Sequence, residues 1–172
     1  MTVIKNNSKQ SVPVLMYHHV TPEGGSLSCS VRNFDSQLKG LVRHGYSTLT
    51  AEQFAGFLKG EAVPKKSVVL TFDDGYLNNF VYAYPILKKY ELNALCFLIT
   101  QHIHEGAVRP VMGSSEVLPS SYGHSECKQL IADGRADEVM LRWEEVREMQ
   151  RHGTFSFHSH THTHIRWDLS ED

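Results

Sequence analysis

The chain has 172 residues, of which 41% are hydrophobic and 21% charged, and this balance predicts one globular domain with a sizeable core. The formal net charge of −2 at pH 7 does not indicate the excess of basic residues that is typical of nucleic-acid-binding proteins. No apolar stretch approaches the roughly 18 residues of a membrane span. Residues 1–10 are polar without a signal peptide, so we expect a cytoplasmic protein, or an extracytoplasmic one if the sequence begins inside a longer chain.

Strand and helix signals alternate along the chain, which predicts a parallel sheet with helical crossovers. A first strand over 12–20 precedes a helix that Asn33 caps and that runs through His44. A short strand over 46–49 leads to a helix that a capping box opens at Thr50. The remaining predicted elements are strands over 68–72, 94–100 and 155–159, and helices over 79–90 (which Pro85 kinks or splits), 126–133 and 143–152.

Residues 101–121 are rich in Gly, Pro and Ser and have no clean period, which favours a long functional or flexible loop. The loop follows the carboxyl end of a strand and should therefore lie where α/β folds place ligands. His102 and Arg109 are the preferred candidates for substrate contacts, with His104 and Tyr122 also possible. A mobile loop with incidental polar residues is the alternative.

The apolar run over 68–72 suits a strand buried on both faces, and it ends in two carboxylates, Asp73 and Asp74. Gly75 then lets the chain turn sharply. Because neighbouring side chains on a strand point to opposite sides, the two carboxylates need not do the same job. A solvated Asp-Gly turn is the alternative, but such a turn does not require so apolar a strand before it.

A histidine cluster follows the last predicted strand, since His158, His160, His162 and His164 alternate with other residues. On a strand, residues i and i+4 are roughly 13 Å apart. Two nitrogens that each lie about 2.0–2.1 Å from one zinc ion must be far closer. A His-x-x-x-His pair can therefore chelate only if the strand ends and a helical turn begins, and Thr161 could help to start that turn.

Two frames fit this pattern, His158 with His162 and His160 with His164. The second is preferred because it leaves 155–159 as the strand and puts both ligands at its carboxyl end. His160 with His162 on an extended strand is a third option, and a run of surface histidines is the alternative without function. One Asp and two His at strand ends, with a second Asp as base, would suffice for metal-assisted hydrolysis.

Two of these segments resemble the first two motifs of the polysaccharide deacetylases, the carbohydrate esterases with a NodB-type domain. They read Thr-Phe-Asp-Asp-Gly over 71–75 and Ser-His-Thr-His-Thr-His over 159–164. The resemblance implies that Asp73 is the catalytic base. It also implies that Asp74, His160 and His164 bind one divalent metal, with zinc expected.

The first strand ends in Tyr17-His18-His19-Val20, which resembles the opening strand of the poly-N-acetylglucosamine deacetylase branch of that family. By this resemblance His18 is the general acid. A strand-end histidine with a structural hydrogen bond is the alternative.

The resemblance implies an α/β fold, a partial and distorted (β/α) barrel of the NodB type with about five parallel strands. Residues 1–10 would form a polar tail and residues 11–172 a polysaccharide deacetylase domain. That domain would be incomplete at its C-terminal end, because the later motifs of the family are absent from the sequence.

The implied reaction is hydrolysis of N-acetyl groups on an N-acetylglucosamine-containing polysaccharide, with neither nucleic acid nor a membrane span involved. An O-acetyl polysaccharide esterase could use the same residues. Two further alternatives are a hydrolase with two metal ions bridged by Asp73, and a metal- or glycan-binding fragment without turnover.

Overall fold

Five strands form one parallel sheet in the computed structural model, which describes residues 10–165. The strands of the whole fold are β1 Val14–Tyr17, β2 His19–Thr21, β3 Ser28–Ser30, β4 Ser47–Thr48, β5 Ser67–Asp74, β6 Ala94–Leu98 and β7 Phe155–Ser159. The α-helices are α1 Val31–Arg43, α2 Ala51–Leu58, α3 Tyr84–Lys89, α4 His124–Ala132 and α5 Trp143–Arg151. A π-helical segment Asn79–Ala83 precedes α3, and 3₁₀ turns lie at Thr100–His102 and Ala136–Glu138.

The strand order of the sheet is β1-β5-β6-β7, with β4 paired to the start of β5. Every pair is parallel, so all carboxyl ends lie at one edge. Asp74 is level with Leu98, which is level with Ser159. Strands β4 to β7 lie where the sequence predicts them, which confirms the partial barrel. The predicted first strand over 12–20 is divided, because β1 ends at Tyr17 and residues 19–21 belong to β2. The separate parallel pair β2-β3 was not predicted.

Strand β5 runs through the centre of the core, as its apolar sequence predicts. Residues 67–72 are all buried, and Phe72 is completely inaccessible. The Phe72 ring lies 5.3 Å from the ring centroids of Tyr17 and Phe155 and 5.9 Å from that of Phe34. Aromatic contacts of this kind add to the burial of apolar area, so the carboxyl end of β5 is held firmly.

Helix ends follow local hydrogen bonds that the sequence reveals only in part. The capping box at Thr50 is confirmed, because Thr50 and Gln53 each accept the other's backbone N–H. Asn33 as the cap of the first helix was wrong. Ser30 takes that place and accepts the Asn33 N–H at 3.2 Å, so α1 begins earlier. Helix α4 likewise begins at His124, two residues before the predicted 126.

Pro85 divides the helical segment after β5, as predicted, into the π-helical segment and α3. Proline has no N–H to donate to the carbonyl four residues earlier, which is that of Val81. The N–H of Met112 donates to this carbonyl at 2.9 Å. The long loop after β6 is therefore tied near its middle to the helix that follows the carboxylate strand.

A second anchor of the same loop is a buried ion pair between Arg109 and Glu145. Glu145 is inaccessible and Arg109 has a 12% exposed side chain, and they form two bonds of 2.7 Å between guanidinium and carboxylate. The Glu145 carboxylate also accepts the backbone N–H groups of Arg109 and Arg142. Arg109 further donates to the carbonyls of Asp137 and Met140. The pair thus fixes the segment that leads into α5.

No helix within residues 10–165 is long and apolar enough to cross a membrane. Most of the predicted tail over residues 1–10, and the last seven positions of the predicted domain, lie outside the described residues. The proposed boundaries of the domain therefore remain predictions.

Replacing Glu145 with Ala should lower the free energy of unfolding by about 3–5 kcal/mol, because it leaves a nearly buried guanidinium without its carboxylate. Denaturant unfolding followed by circular dichroism measures this change. The matched control is Glu144→Ala, which removes an exposed pair with Arg147 and should barely move the midpoint. Equal losses in the two variants would contradict a structural role for the buried pair.

Candidate functional site

Asp74 ends β5 at the carboxyl edge of the sheet, and its side chain is nearly buried although it is ionisable. The residue as a whole is 4% exposed. Its Oδ1 atom has no hydrogen-bond partner within residues 10–165. A buried carboxylate oxygen without a donor is costly, so this atom is suited to a cation.

The chain turns directly after Asp74, and the turn depends on a glycine. Asp74 has φ of 74° and Gly75 has φ of 86°. A Cβ on Gly75 would lie 2.6 Å from Leu98 Cδ2. The backbone conformation therefore favours glycine here, as predicted, and a Cβ at this position would also force the Leu98 side chain to move.

Two histidines face the Asp74 carboxylate. The Nε2 atoms of His160 and His164 lie 3.7 and 3.8 Å from Asp74 Oδ1. The centroids of the two imidazole rings are 5.0 Å apart. One ligand atom from each of the three residues lies within 4.8 Å of the other two. One carboxylate and two imidazoles are a ligand set of divalent metal ions such as those of catalytic hydrolase sites, so these residues could hold one.

The histidine pair is formed by a bend in the chain, and the predicted helical turn is wrong. Strand β7 ends at Ser159, as predicted, and Thr161 and His164 then adopt φ of 69° and 59°. Left-handed residues do not continue a right-handed helix. The Thr161 hydroxyl nevertheless accepts the His164 N–H at 3.0 Å, which is the kind of contact expected of Thr161.

Backbone hydrogen bonds tie this bend to the end of β6. The N–H of His160 donates to the Leu98 carbonyl at 2.7 Å. The carbonyls of Thr161 and His162 accept N–H groups of Thr100 and Gln101. The positions of both histidines are therefore set by the neighbouring strand.

The other histidines of the run lie outside the cluster. The exposed His158 ring packs beside Phe97, with centroids 5.6 Å apart. His162 Nδ1 lies 3.0 Å from the Thr100 hydroxyl. The geometry thus favours the frame of His160 with His164 over both alternatives.

A cleft of about 400 Å³ opens beside the cluster. Side chains that line it include His18, Asp74, Tyr76, His102, His124 and His164. Burial, and then the charges of His104 and His164, lower the pKa of His102. Burial, and then the charge of Asp74, raise the pKa of Tyr76. Both side chains are therefore predominantly neutral near pH 7 and can serve as hydrogen-bonding groups of the cleft.

The two residues with predicted proton-transfer roles lie at the same sheet edge. Asp73 precedes Asp74 and is half-buried, and its carboxylate forms no ion pair or hydrogen bond with another side chain in the described part of the chain. Tyr17, the last residue of β1, is level with Phe72, and His18 follows it in the bend between β1 and β2. His18 lines the cleft and is half-buried.

The candidates from the long loop are divided by the structure. His102 reaches the cleft, whereas the guanidinium of Arg109 is engaged by Glu145 and by carbonyl groups away from it. His104 forms backbone bonds with Leu141 and Trp143, and Tyr122 packs against the apolar cluster around Cys127. The contacts of Arg109, His104 and Tyr122 therefore support the fold and do not involve the cleft.

Sequence reasoning missed three cleft residues, Tyr76, His124 and Lys128. His124 and Lys128 stand on α4, far along the chain from either motif. A single histidine and a single lysine on a polar helix do not form a motif, so nothing in the sequence indicated that they lie at the cleft. Tyr76 follows the Asp-Asp-Gly segment directly, and that adjacency was the available signal.

A profile of the family described as polysaccharide deacetylase matches residues 60–172. The chain belongs to this family. Among its relatives, the Bacillus subtilis protein YxkH is 32% identical over 163 residues, covering 94% of this chain and 46% of the relative. A poly-beta-1,6-N-acetyl-D-glucosamine N-deacetylase of Staphylococcus aureus (strain MRSA252) is 31% identical over 145 residues, covering 84% of this chain and 40% of the relative.

Solved structures of deacetylases share the fold. The Streptococcus pyogenes deacetylase PplD, in complex with acetate, superposes with a TM-score of 0.65 at 28% sequence identity. The match covers 93% of this chain and 60% of PplD. The polysaccharide deacetylase chain described here spans less than half the length of the two curated relatives named above.

Replacing His164 with Ala should abolish tight binding of a divalent ion, because it removes one of three ligands and leaves Asp74 with a single imidazole. Metal content per chain after dialysis, measured by elemental analysis, checks this. His158→Ala is the matched control and should retain one ion, because His158 packs on Phe97. Loss of metal in His158→Ala but not in His164→Ala would move the ligand frame to His158 and His162.

Proposed function

We propose that this domain is a metal-dependent deacetylase that hydrolyses N-acetyl groups of an N-acetylglucosamine-containing polysaccharide. The observation that carries the proposal is the Asp74, His160 and His164 cluster at the carboxyl edge of the sheet, beside an open cleft. The relative named poly-beta-1,6-N-acetyl-D-glucosamine N-deacetylase supports this substrate class. The acetate complex of PplD supports removal of an acetyl group.

Asp74, His160 and His164 would hold a single divalent ion, for which we propose zinc. Three protein ligands with both imidazole and carboxylate character are typical of catalytic zinc sites. When bound there, zinc would polarise the acetamide carbonyl and lower the pKa of water toward about 7.

The chain's own residues would then move the protons. Asp73 takes a proton from the attacking water as its oxygen bonds to the carbonyl carbon. His18 donates a proton to the amide nitrogen as the carbon–nitrogen bond breaks. The products are acetate and a glucosamine unit with a free amine, so one water is consumed for each acetyl group removed.

Acetate release from N-acetylglucosamine oligomers, compared with release from acetylxylan, tests the proposed function. We expect release from the aminosugar oligomers, loss of release with a chelator, and recovery on adding one equivalent of zinc. Release from acetylxylan alone would make the domain an O-acetyl esterase. Metal binding without any release would make it a binding module, and a requirement for two ions per chain would indicate a different hydrolase mechanism.

Asp73→Asn should lower turnover by roughly 10²–10⁴, the usual contribution of a general base. The amide keeps the shape of the side chain but does not accept the proton. Steady-state acetate release measures the loss, and metal content should stay near one ion per chain. If the variant lost its metal instead, Asp73 would be a ligand and the roles of the two carboxylates would have to be reassigned.

His18→Ala should depress hydrolysis of an acetamide far more than hydrolysis of an activated acetate ester. An amine leaves poorly unless it is protonated, whereas an activated alcohol leaves without help. Rates on an N-acetylglucosamine oligomer and on an aryl acetate provide the comparison. Equal losses on both substrates would reduce His18 to a structural residue.

A further inference from the structure

Three polar side chains form a hydrogen-bonded row that leads from the core to the cleft. Asn78 Nδ2 lies 2.8 Å from His19 Nδ1, and His19 Nε2 lies 3.0 Å from His124 Nδ1. Asn78 and His19 are buried, and the centroids of the His19 and Tyr76 rings are 3.8 Å apart. His124, the first residue of α4, is half-buried and lines the cleft that also contains Asp74 and His164.

The backbone fixes which atom donates at each step of this row. The N–H of Val20 donates to Asn78 Oδ1 at 3.2 Å, so the amide NH₂ of Asn78 is the group turned toward His19. An amide NH₂ only donates, so His19 Nδ1 must accept and the ring proton of His19 must lie on Nε2. That proton is donated to His124 Nδ1, and the proton of His124 consequently lies on its own Nε2.

The same order of bonds excludes the imidazolium form of either ring. A second proton on His19 Nδ1 would face the amide NH₂, and one on His124 Nδ1 would face the His19 N–H. Burial, and then the charges of His124 and His18, lower the pKa of His19 to about 3. Burial, and then the charge of Lys128, lower the pKa of His124, while the charge of Asp74 acts to raise it.

We propose that His124 is a substrate-binding residue whose neutral Nε2–H donates a hydrogen bond to an oxygen of the acetylated aminosugar in the cleft. This assignment rests on the proposed function for the class of ligand. His124 Nε2 has no hydrogen-bond partner within residues 10–165, and the ring is half-buried at the cleft wall. Sugars offer many hydroxyl and carbonyl oxygens as acceptors.

The row gives His124 a different role from that of His18, which also lines the cleft. His124 keeps its proton on the atom that faces the cleft, so it cannot act as a general base there. His19 and Asn78 are positioning residues, because they hold the tautomer of His124 without reaching the cleft themselves. His18, by contrast, stands outside this row of hydrogen bonds and stays available for proton transfer.

Nuclear magnetic resonance on the ¹⁵N-labelled wild-type domain tests the tautomer directly. Two-bond correlation spectra distinguish a protonated ring nitrogen from a bare one. We expect His124 to remain a single Nε2–H tautomer between about pH 6 and 8, where an ordinary histidine titrates. An Nδ1–H tautomer, or an imidazolium in this range, would overturn the assignment whether or not the domain releases acetate.

Addition of an N-acetylglucosamine oligomer to the same sample tests the contact with substrate. The His124 Nε2 proton should shift as the oligomer binds, while the resonances of the exposed His152, which bonds Glu148, should not. Binding without turnover would refute the proposed reaction and leave the contact intact. Binding that leaves the His124 signal unchanged would refute the contact.

Kinetics of two variants separate a binding role from a structural one. His124→Phe removes the donor and should raise KM about three- to tenfold at nearly unchanged kcat, as expected for one neutral hydrogen bond. His124→Gln, whose amide can donate from a similar position, should restore most of that loss. His152→Gln is the matched control with wild-type kinetics. A Gln variant as impaired as the Phe variant, or a Phe variant with wild-type KM, would overturn the proposal.

Discussion

A carboxylate buried at the end of a parallel strand is the constraint on which the rest of the site depends. Asp74 is forced to this position because β5 must run through the core and ends where the sheet meets the cleft. Its Oδ1 atom finds no hydrogen-bond donor in the described chain. Since an uncompensated buried charge is strongly unfavourable, the neighbouring strand ends have to supply groups that tolerate or share a cation. The imidazoles of His160 and His164, whose Nε2 atoms lie 3.7 and 3.8 Å from this oxygen, are placed to do so.

The scaffold around this carboxylate relies on main-chain bonds more than on side chains. The turn over 75–77 is paired with the segment over 139–141, through bonds of 2.9 Å from Leu141 N–H to Gly75 O and 2.8 Å from Leu77 N–H to Val139 O. The Arg109 guanidinium holds the Met140 carbonyl in that same segment. The buried ion pair with Glu145 therefore supports the turn beside Asp74 without entering the cleft. The residues that stabilise the turn, Arg109 and Glu145, are therefore distinct from Asp74, which faces the cleft.

The features that could be predicted from the sequence are those encoded by residues close together in the chain. An apolar run of strand length before Asp73 and Asp74 predicted β5 and its sheet edge. On grounds of distance a His-x-x-x-His pair had to lie beyond the strand end, and the strand over 155–159 then favoured His160 with His164. A helical turn was assumed where the chain bends through left-handed Thr161. Contacts across long separations were not predictable. Arg109 was expected at the substrate because its loop follows the carboxyl end of a strand. Its actual partner, Glu145, stands 36 residues away and could not be identified from the local sequence.

The same limit applies to the pairing of His19 with His124, which joins residues 105 positions apart. Nothing near either histidine in the sequence indicates the other. Only the fold brings the start of α4 beside His19 of β2. The wrong N-cap of α1 was an error of a different kind. Asn33 was chosen, although Ser30, a suitable cap, stands only three residues earlier.

The bond from Met112 N–H to the Val81 carbonyl has a consequence for how such a domain can diversify. It divides the connection between β6 and α4 into two shorter spans, each with its own fixed ends. Lengthening a surface span costs little, because the entropy of closing a loop grows only slowly with its length. Either span can therefore accept insertions independently. Changes in one span can therefore leave the other span unaltered. They can also leave unaltered the cluster of Asp74, His160 and His164, whose bend is bonded to the end of β6.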